Sequence, residues 1–386
     1  MIRFLPAPAV LLLACAAAAQ DEPAWVVPPA MAGRTPAARA VLPAEHGASP
    51  ASERVVNAGL MWLANQRKPG GYWEFDPRDP KMKTKDWASS TGMALLPFLG
   101  AGHTHKSGLY TKTVAGGLVW LKNELNLATG RFAHGSPHYM YGHAIAALAL
   151  CEAYALTGDR ALQPFAQAAV TYVVRAQGAD GSWGYQSGAT GDTSITGWQF
   201  QALFAAQQGK LTVPDATVKK AVDFLDKVAA GPNKAAYGYT SANGKPGTAL
   251  TAVGLWCRYH FDGWNPIHAG FQEGVAGLTD PTRRPRTAEE AIQRPGTPEM
   301  YYYYYATQVL HRAGGEAWPD WFLGARESGK RAGGMRDWLV VTQSREGVVA
   351  GSWNPDPGTI GSHGGRVGST ALALLTLETP YRYLRR

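Results

Sequence analysis

The sequence contains few cysteines, and their spacing excludes a disulfide scaffold. Cys15, Cys151 and Cys257 are the three cysteines among 386 residues. Two cysteines that lie 106 positions apart in the body of the chain cannot hold a small fold together, so stability must come from packing. We expect Cys151 and Cys257 to remain unpaired, and we interpret Cys257 as a small buried apolar side chain.

Long runs of one charge are also absent. Charged residues make up 17% of the chain and the formal net charge is +8, but no extended Lys/Arg block is present. The densest basic segments are 282–286 and 381–386, which a solvated loop and a solvated tail explain. A hydrophobic fraction of 45%, with 13 Trp and 17 Tyr, supplies ample material for a core. The composition therefore argues against disorder and against a nucleic-acid partner.

The N-terminal segment has the features of an export signal. A basic residue precedes an apolar run that is too short to cross a bilayer, and the small residues 17–19 offer a cleavage site. We predict a signal peptide at residues 1–20, an Ala/Pro-rich leader at 21–52, and a secreted or periplasmic protein. In the alternative interpretation, the segment ending at Cys15 is a lipoprotein box and Cys15 carries a lipid. No other segment is long and apolar enough to span a membrane.

After the leader, the chain contains an internal repeat of about 55 residues. Each copy begins with a segment in which apolar residues recur at spacings of three and four around one aromatic residue. This spacing indicates a helix with one buried face. The steps between these aromatics are 58, 52, 52 and 114 residues, so the last interval holds a degraded copy. The aromatics are Trp62, Trp120, Tyr172, Phe224 and Trp338.

A second segment in each copy is apolar nearly all round, which indicates a helix buried on both sides. Its equivalent small residues follow one another at steps of 50, 55, 55 and 119, with the same period and the same gap as the aromatics. The two series together predict six pairs of outer and inner helices over residues 53–383. The pattern leaves open whether these pairs stack as a solenoid or close into a ring. The small residues are Gly92, Gly142, Gly197, Ala252 and Ala371.

The loop after the third outer segment carries a motif, RAQGADGSWGY (175–185). An Asp-Gly pair makes a turn, and the indole that follows is suited to fill the wedge between helix pairs. The stretch resembles the Gln–Trp repeat of squalene–hopene cyclases and protein prenyltransferase β subunits. The resemblance implies an all-α protein, an α/α toroid of six inner and six outer helices with an axial cavity. The matching residues are Gln177, Asp180, Gly181, Ser182 and Trp183, with looser copies at Gln343 with Trp353 and at Gln66 with Trp73.

The chemistry of these enzymes is not found in the sequence. It contains neither Asp-x-Asp-Asp, which protonates an alkene in the cyclases, nor Asp-Asp-x-x-Asp, which holds magnesium diphosphate. Cys257 has no Asp-x-Cys before it that would match the prenyltransferase zinc site. We therefore favour a protein without a cofactor that binds an aromatic-compatible ligand or a protein partner at the cavity mouth. The alternative is a divergent cyclase-like or prenyltransferase-like enzyme acting on an isoprenoid.

A few residues fall where the mouth and the lumen of such a toroid would lie. His143 and Asp192, at the starts of the second and third inner helices, are weak catalytic candidates, because a buried histidine and a helix cap explain them better. His134, His138 and His143 form an alternative zinc site if the loop folds back, but no Cys or carboxylate accompanies them. A mixed aromatic and polar lumen would suit an elongated or ring-shaped ligand. Its candidate lining residues are Trp198, Tyr301, Tyr302, Tyr304 and Tyr305.

Overall fold

The computed structural model describes residues 25–384, apart from 78–80, 82–83, 134–137, 281–299, 328, 332 and 356–357. Within this part of the chain the secondary structure is almost entirely helical. Short 3₁₀ helices lie at Pro29–Arg34 and Gly347–Val349. The α-helices are α1 (Pro36–Glu45), α2 (Pro50–Gln66), α3 (Trp87–Gly100), α4 (Thr111–Glu124), α5 (Tyr139–Thr157), α6 (Gln163–Arg175), α7 (Thr193–Gln208), α8 (Asp215–Val228), α9 (Ala249–Phe261), α10 (Ala269–Leu278), α11 (Met300–Ala313), α12 (Ala317–Phe322), α13 (Met335–Thr342), α14 (Thr359–Leu377) and α15 (Thr379–Arg382).

Two very short antiparallel strand pairs accompany the helices. β1 (Ala229–Ala230) pairs with β2 (Ala236–Tyr237) in the loop before α9. β3 (Arg326–Glu327) pairs with β4 (Lys330–Arg331) between α12 and α13. Each pair orders a loop and leaves the helical architecture unchanged.

Six helices form a closed inner ring. α3 packs on α5, α5 on α7, α7 on α9, α9 on α11 and α11 on α14, and α14 returns to α3. The outer helices are α2, α4, α6, α8, α10 and α13, one for each inner helix. This order decides between the solenoid and the ring. The protein is an α/α toroid of six helix pairs, which confirms the six pairs predicted from the repeat and the toroid implied by the resemblance.

The burial of the two layers follows the apolar patterns in the sequence. In inner helix α7, every residue from Ile195 to Ala206 is buried. Outer helix α8 buries the face that includes Ala221 and Phe224, and its other side is polar. Small residues let the inner helices approach closely, since a Cβ atom on Gly92 would lie 2.8 Å from the backbone of Ala146. A helix that contacts neighbours on both sides needs apolar residues all round, and this is the pattern that identified the inner layer.

The Gln–Trp motif at residues 177–183 joins the two helices of its own pair and bonds to the next outer helix. The Trp183 indole, fully buried, donates from Nε1 to the carbonyl of Val173 at 2.7 Å, and its backbone N–H donates to the Thr196 hydroxyl at 3.2 Å. Gln177 donates from Nε2 to the carbonyl of Thr217 on the next outer helix at 2.9 Å. The looser copies repeat the indole bond, since Trp73 Nε1 donates to Leu63 at 2.7 Å and Trp353 Nε1 donates to Leu339 at 3.0 Å.

The segment at residues 25–45 closes one end of the ring, which is more structure than its Ala/Pro-rich composition indicates. The 3₁₀ helix at Pro29–Arg34 and helix α1 pack against the C-terminal helix α15. Trp25 donates from Nε1 to the carbonyl of Ala155 near the end of α5 at 2.9 Å. The backbone N–H of Leu384 donates to Ala30 at 2.8 Å. We call this the closed end, where the inner helices finish, and the opposite end, where they begin, the mouth.

The two cysteines of the ring lie on helices that are not neighbours. Cys151 is on α5 and Cys257 is on α9, with α7 between them. Both thiols are buried and unpaired, and burial raises the pKa of each thiol above its ordinary value. A protonated, buried thiol is unreactive, which agrees with a purely apolar role for both residues. Separately, no helix in the described part of the chain is long and apolar enough to cross a membrane.

Candidate functional site

The mouth carries a cluster of polar aromatic side chains around one buried carboxylate. We call His138, Tyr141, Tyr185, Asp192 and Tyr239 the mouth cluster. They come from the starts of α5 and α7 and from the loops that precede α7 and α9. Because inner helices begin at the same end of the ring, these loops meet there although they are distant in sequence.

Asp192 is the first member of the cluster and caps helix α7. Its Oδ1 atom accepts the backbone N–H groups of Ser194 at 2.8 Å and Ile195 at 3.1 Å. A carboxylate in this position satisfies free N–H groups and interacts favourably with the helix dipole. The carboxylate also contributes to the raised pKa of the Tyr239 hydroxyl. The helix-cap interpretation of Asp192 therefore describes its hydrogen bonds.

Tyr185, Tyr239 and His138 are the exposed members of the cluster. The hydroxyl oxygens of Tyr185 and Tyr239 are 2.6 Å apart, and these two residues are 38% and 42% exposed. His138 stacks on one face of Tyr185 with ring centroids 4.1 Å apart. Burial, followed by the Tyr185 hydroxyl and the Asp192 carboxylate, raises the pKa of Tyr239 above its ordinary value. Two ordered phenol rings are therefore presented to solvent with their hydroxyl groups already engaged.

Neither exposed tyrosine was predicted from the sequence, although a signal was present. Tyr185 ends the motif Trp-Gly-Tyr at 183–185, and Tyr239 ends Tyr-Gly-Tyr at 237–239, one repeat later. Tyr237 occupies the position of Trp183, because its backbone N–H donates to Thr251 at 3.1 Å as that of Trp183 does to Thr196. Aligning the loops of adjacent repeats would have brought the two tyrosines to one end of the ring.

Tyr141, Ser194 and Tyr301 connect the mouth to the lumen. Tyr141 and Ser194 share a short hydrogen bond between their side-chain oxygens. Tyr301 donates to the backbone carbonyl of Ser194 at 3.1 Å and lies 6.5 Å from Trp198, measured between ring centroids. These residues come from α5, α7 and α11, so the contacts run across the ring below the exposed tyrosines.

Deeper in the lumen, the predicted lining residues are packed against one another. Trp198 stacks on Tyr304 with centroids 5.7 Å apart, and both are buried. Tyr304 donates to Gln201 Oε1 at 2.6 Å, while Gln201 Nε2 donates to the Tyr305 hydroxyl at 2.6 Å. Since α7 and α11 are not neighbours in the ring, these contacts cross the lumen.

At the closed end, a buried ion-pair network also occupies the lumen. Glu152 on α5 accepts from Arg34 at 2.6 Å and from Arg382 at 2.8 Å. Arg382 also donates to the Tyr304 hydroxyl at 3.1 Å. Helices α5 and α11 are opposite one another in the ring, so the link from Glu152 through Arg382 to Tyr304 spans the full lumen.

Tyr302 lies on the other side of α11 from the lumen. Its hydroxyl donates to the carbonyl of Leu278 on outer helix α10 at 3.0 Å, and its ring meets Trp321 edge to face. A helix turns about 100° per residue, so a run of five tyrosines must serve both layers. The structure thus separates Tyr302 from Tyr301, Tyr304 and Tyr305.

His143 also faces away from the lumen. Its Nε2 atom lies 3.0 Å from the carbonyl of Ala169 on outer helix α6, and its ring packs on Phe132 and Tyr172. Burial lowers the pKa of His143 to about 4, so the ring is neutral near pH 7. The structure therefore places this candidate in the wall between the two layers.

The alternative histidine site is not assembled by the described residues. His138 stacks on Tyr185 at the mouth, whereas His143 faces α6, and His134 lies outside the described residues. Among those residues no group of three or more His, Cys, Asp or Glu side chains could hold a metal ion. A zinc ligand set needs its donors directed at one point, and His138 and His143 are directed at different neighbours.

A second buried carboxyl near the mouth, Asp86, was not singled out from the sequence. It caps α3 by accepting the backbone N–H of Ser89 at 3.2 Å. It packs against α5, where a Cβ atom on Gly142 would lie 2.5 Å from Asp86 Oδ1. Burial raises the pKa of Asp86 to about 7, and the Ser89 bond lowers it only in part. An Asp at a helix start is common. Its burial without an ionic partner among the described residues could be found only in the tertiary structure.

Comparison with known proteins identifies the fold. No family model and no curated protein matches the sequence. An α-1,6-mannanase, GH76A of Salegentibacter sp. HEL1_6, in complex with α-1,6-mannotriose, is 9% identical, with a TM-score of 0.54 over 86% of this chain and 99% of that one. The type II terpene cyclase MstE from Scytonema is 14% identical, with a TM-score of 0.52 over 86% and 98%. A novel alpha-amylase from Clostridium perfringens is 10% identical, with a TM-score of 0.54 over 84% and 97%.

These neighbours share the toroid with this chain. The mannanase structure is an inactive variant in which two consecutive aspartates are replaced by asparagine. This chain contains no two consecutive aspartates. Its acidic caps at the mouth, Asp86 and Asp192, are on α3 and α7, with α5 between them.

Proposed function

We propose that this protein is an exported toroid that binds a ligand at its mouth and has no cyclase chemistry. The observation that carries the proposal is the contrast between the lumen of the ring and its mouth. The lumen is crossed by hydrogen bonds between side chains of helices that are not neighbours in the ring, whereas the mouth presents ordered, half-exposed tyrosines above a buried carboxylate. Ligand sites combine aromatic surface with a few convergent polar groups, and within the described residues the mouth cluster fits that pattern.

The packed lumen argues against an isoprenoid substrate. A polyprenyl chain needs an apolar cavity long enough to fold it, lined by aromatic faces that stabilise a cation. In this protein the aromatic faces of Trp198 and Tyr304 are stacked on each other, and Tyr305 is bonded to Gln201. Placing a substrate there would break several buried hydrogen bonds and the Glu152 network, each at substantial cost.

The neighbours support a ligand site on this fold without specifying the ligand. One neighbour holds α-1,6-mannotriose, and structures of the terpene cyclase hold geranylgeranyl dihydroxybenzoate. Fold does not determine function, so these molecules serve here as probes of two chemical classes. The bonds made by Trp183 and Gln177 further support a common origin with the Gln–Trp repeat proteins, which we propose as the family. We also propose that the protein is exported, with or without a lipid on Cys15.

Binding to the mouth is tested with the two probes and a paired substitution. We expect α-1,6-mannotriose or geranylgeraniol to bind the mature protein in isothermal titration calorimetry. The double variant Tyr185→Ala/Tyr239→Ala should weaken that binding by about ten-fold or more, since 1.4 kcal/mol corresponds to a factor of ten. The control is Leu109→Ala, because Leu109 is 89% exposed at the closed end. Binding that survives the double variant, or binding of neither probe, contradicts the proposed function.

A further inference from the structure

We propose that the N-terminal segment is a pH-sensitive clasp on the closed end, which stays docked while Glu378 is protonated and is released when Glu378 ionises. The clasp comprises the 3₁₀ helix at Pro29–Arg34 and helix α1, Pro36–Glu45. It lies at the opposite end of the ring from the ligand site proposed above and does not depend on that site. Beside it lies a fully buried carboxyl group that has no hydrogen-bond partner among the described residues.

The clasp is seated on the segment that follows α14. Both of its helices pack against α15. Arg34 donates from Nε to the backbone carbonyl of Arg382 at 2.6 Å. The backbones approach closely here, since a Cβ atom on Gly33 would overlap the carbonyl oxygen of Tyr381. The clasp therefore joins the N-terminal part of the described chain to its C-terminal part, and it belongs to neither layer of the ring.

Arg39 on α1 forms a second attachment. Its guanidinium carbon lies 3.5 Å from the centroid of the Tyr381 ring. Its Nη2 atom donates to Glu53 on α2 at 2.7 Å, whereas its Nη1 atom is buried without a hydrogen-bond partner among the described residues. Arg39 thus ties the clasp both to the C-terminal segment and to an outer helix.

Glu378 is the buried carboxyl group at this junction. It lies between α14 and α15 and is fully buried, and neither of its carboxylate oxygens accepts a hydrogen bond from a described residue. A Cβ atom on Gly100, the last residue of α3, would overlap Glu378 Oε2. The carboxyl group is therefore held against an inner helix, three residues before the tyrosine on which Arg39 lies.

The cations near Glu378 are already bonded to other carboxylates. Arg34 and Arg382 both bind Glu152, at 2.6 Å and 2.8 Å. Arg39 binds Glu53 at 2.7 Å. The charged and titratable side chains that face Glu378 from the clasp, from α2 and from α15 are Arg34, Arg39, Glu53, Tyr381 and Arg382.

Burial decides the protonation state of Glu378. It raises the pKa of this carboxyl well above its ordinary value, although the three arginines oppose it. Burial also raises the pKa of Tyr381 and, together with Arg39, lowers the pKa of His103, so both side chains are neutral near pH 7. A buried carboxyl group that accepts no hydrogen bond is stable as the neutral acid, because its ionised form has lost water without a replacement.

An ionised Glu378 needs water, and the clasp is the element that can admit it. Helices α3 and α14 each pack on two neighbours in the closed inner ring, so moving either one would open the ring. The clasp lies outside that ring and continues into α2 through residues 46–49. Its release would hydrate Glu378 and withdraw Arg34 from Glu152. Ionisation of Glu378 is therefore coupled to opening of the closed end.

Glu378 holds its proton more tightly in the docked clasp than in the released one. Its pKa is raised in the docked state and returns towards the ordinary glutamate value of about 4.3 on hydration. The contribution of Glu378 to docking is complete below the ordinary value and is lost as the pH rises through the raised one. Glu152 acts in the opposite sense, since its depressed pKa weakens the Arg34 pair only in acid.

Hydrogen exchange followed by mass spectrometry tests the coupling in the intact mature protein. We would measure the protection of residues 29–45 and of residues 195–206 in α7 between about pH 5 and pH 9. Each exchange rate is divided by that of an unstructured peptide at the same pH. Since one proton is released on opening, the protection of the clasp should fall by about ten-fold per pH unit over part of this range. The protection of α7 should change much less, because α7 lies within the ring.

Two substitutions remove the titrating group. Glu378→Gln keeps a polar side chain of the same size, and Glu378→Met supplies an apolar one of similar length in case the amide is not tolerated. In either variant the protection of residues 29–45 should be independent of pH. Asp86→Asn is the matched control, because it removes another buried carboxyl with a raised pKa, at the mouth. It should leave the pH dependence of the clasp as in the wild type.

The outcomes separate clasp release from other effects. Protection of residues 29–45 that is constant with pH in the wild type would overturn the inference. The same holds if the pH dependence persists in the Glu378 variants, since another group would then be titrating. A parallel loss of protection in the clasp and in α7 would indicate unfolding of the whole ring and would also contradict a local clasp.

Discussion

Gln343, at the end of the last outer helix, donates from Nε2 to the backbone carbonyl of Val55 in the first outer helix at 2.8 Å. The same atom donates to Gly351 at 2.8 Å. Gln177 makes the equivalent pair of bonds, to Gly181 in its own loop and to Thr217 in the next outer helix. The junction that closes the ring therefore uses the same contact as a junction between consecutive repeats.

Because the two glutamines make equivalent contacts, we expect their substitution by alanine to lower the stability of the fold by similar amounts. Gln343→Ala and Gln177→Ala each remove two hydrogen bonds and leave two backbone carbonyls without them, so each should lower the free energy of unfolding by roughly 1–3 kcal/mol. Urea denaturation followed by circular dichroism measures both. A loss below about 0.5 kcal/mol at Gln343 alone would mean that the ring does not depend on this contact for closure.

Trp183 should be among the most costly positions to truncate. Trp183→Ala removes a fully buried indole and its bond to Val173, and large-to-small changes of this kind cost about 3–5 kcal/mol. Trp183→Phe should cost less than Trp183→Ala, because part of the ring volume remains even though the Nε1 donor is lost. Tyr185→Ala, two residues away and 38% exposed, is the control and should cost under about 1 kcal/mol. Similar losses at the buried and exposed positions would contradict the wedge interpretation.

The Glu152 network predicts loss of stability in acid. Burial alone would raise the pKa of Glu152, but Arg34 and Arg382 outweigh it, so the pKa lies below its ordinary value. A carboxyl with a depressed pKa stabilises the folded state above its unfolded pKa, and this contribution disappears as the pH falls through the folded pKa. The melting temperature should therefore fall below about pH 4.5.

Glu152→Gln tests whether Glu152 is responsible for the loss of stability in acid. It leaves Arg34 and Arg382 buried without their counterion, and breaking a buried pair costs about 3–5 kcal/mol at neutral pH. The variant should also show a flatter melting profile between pH 3 and 5 than the wild type. A variant that keeps the full acid dependence would show that other carboxyls cause it.

Asp86 predicts a pH dependence of opposite sign. Burial raises its pKa to about 7, so between about pH 4 and pH 7 the unfolded chain has released a proton that the folded protein still holds. The stability contributed by Asp86 therefore falls as the pH rises through this window. Asp86→Asn keeps the cap and removes the titration, so its stability relative to wild type should increase from pH 5 to pH 8. A constant difference across these pH values would argue against the raised pKa.

The mature protein should not cyclise squalene or transfer a prenyl group, with or without zinc or magnesium. The sequence has no Asp-x-Asp-Asp cluster, and the lumen is crossed by the contacts of Trp198, Gln201 and Tyr304. Incubation with squalene, farnesyl diphosphate and geranylgeranyl diphosphate, followed by gas chromatography, measures this. A cyclic product that disappears in Asp192→Asn would identify Asp192 as an acid and refute the binding role.

The inner and outer layers and their six helix pairs were readable from the sequence because they depend on local pattern. A helix with neighbours on both sides must be apolar all round, and one at the surface needs a single apolar face, so two series with one period predicted six pairs before any contact was known. The turn and wedge at Asp180 and Trp183 were readable for the same reason. Their partners Val173 and Thr196 lie within 13 residues of Trp183.

Closure of the ring, the content of the lumen and the composition of the mouth were decided only by tertiary structure. Gln343 meets Val55 across 288 residues, and Arg382 meets Glu152 across 230. Tyr185 and Tyr239, 54 residues apart, become neighbours because adjacent repeats place their loops at one end of the ring. The sequence positions of His143 and Tyr302 were compatible with the lumen. Their side chains leave their helices on the side that faces the outer layer. Periodicity specifies which face of a helix is buried; which neighbour buries it is decided when the ring closes.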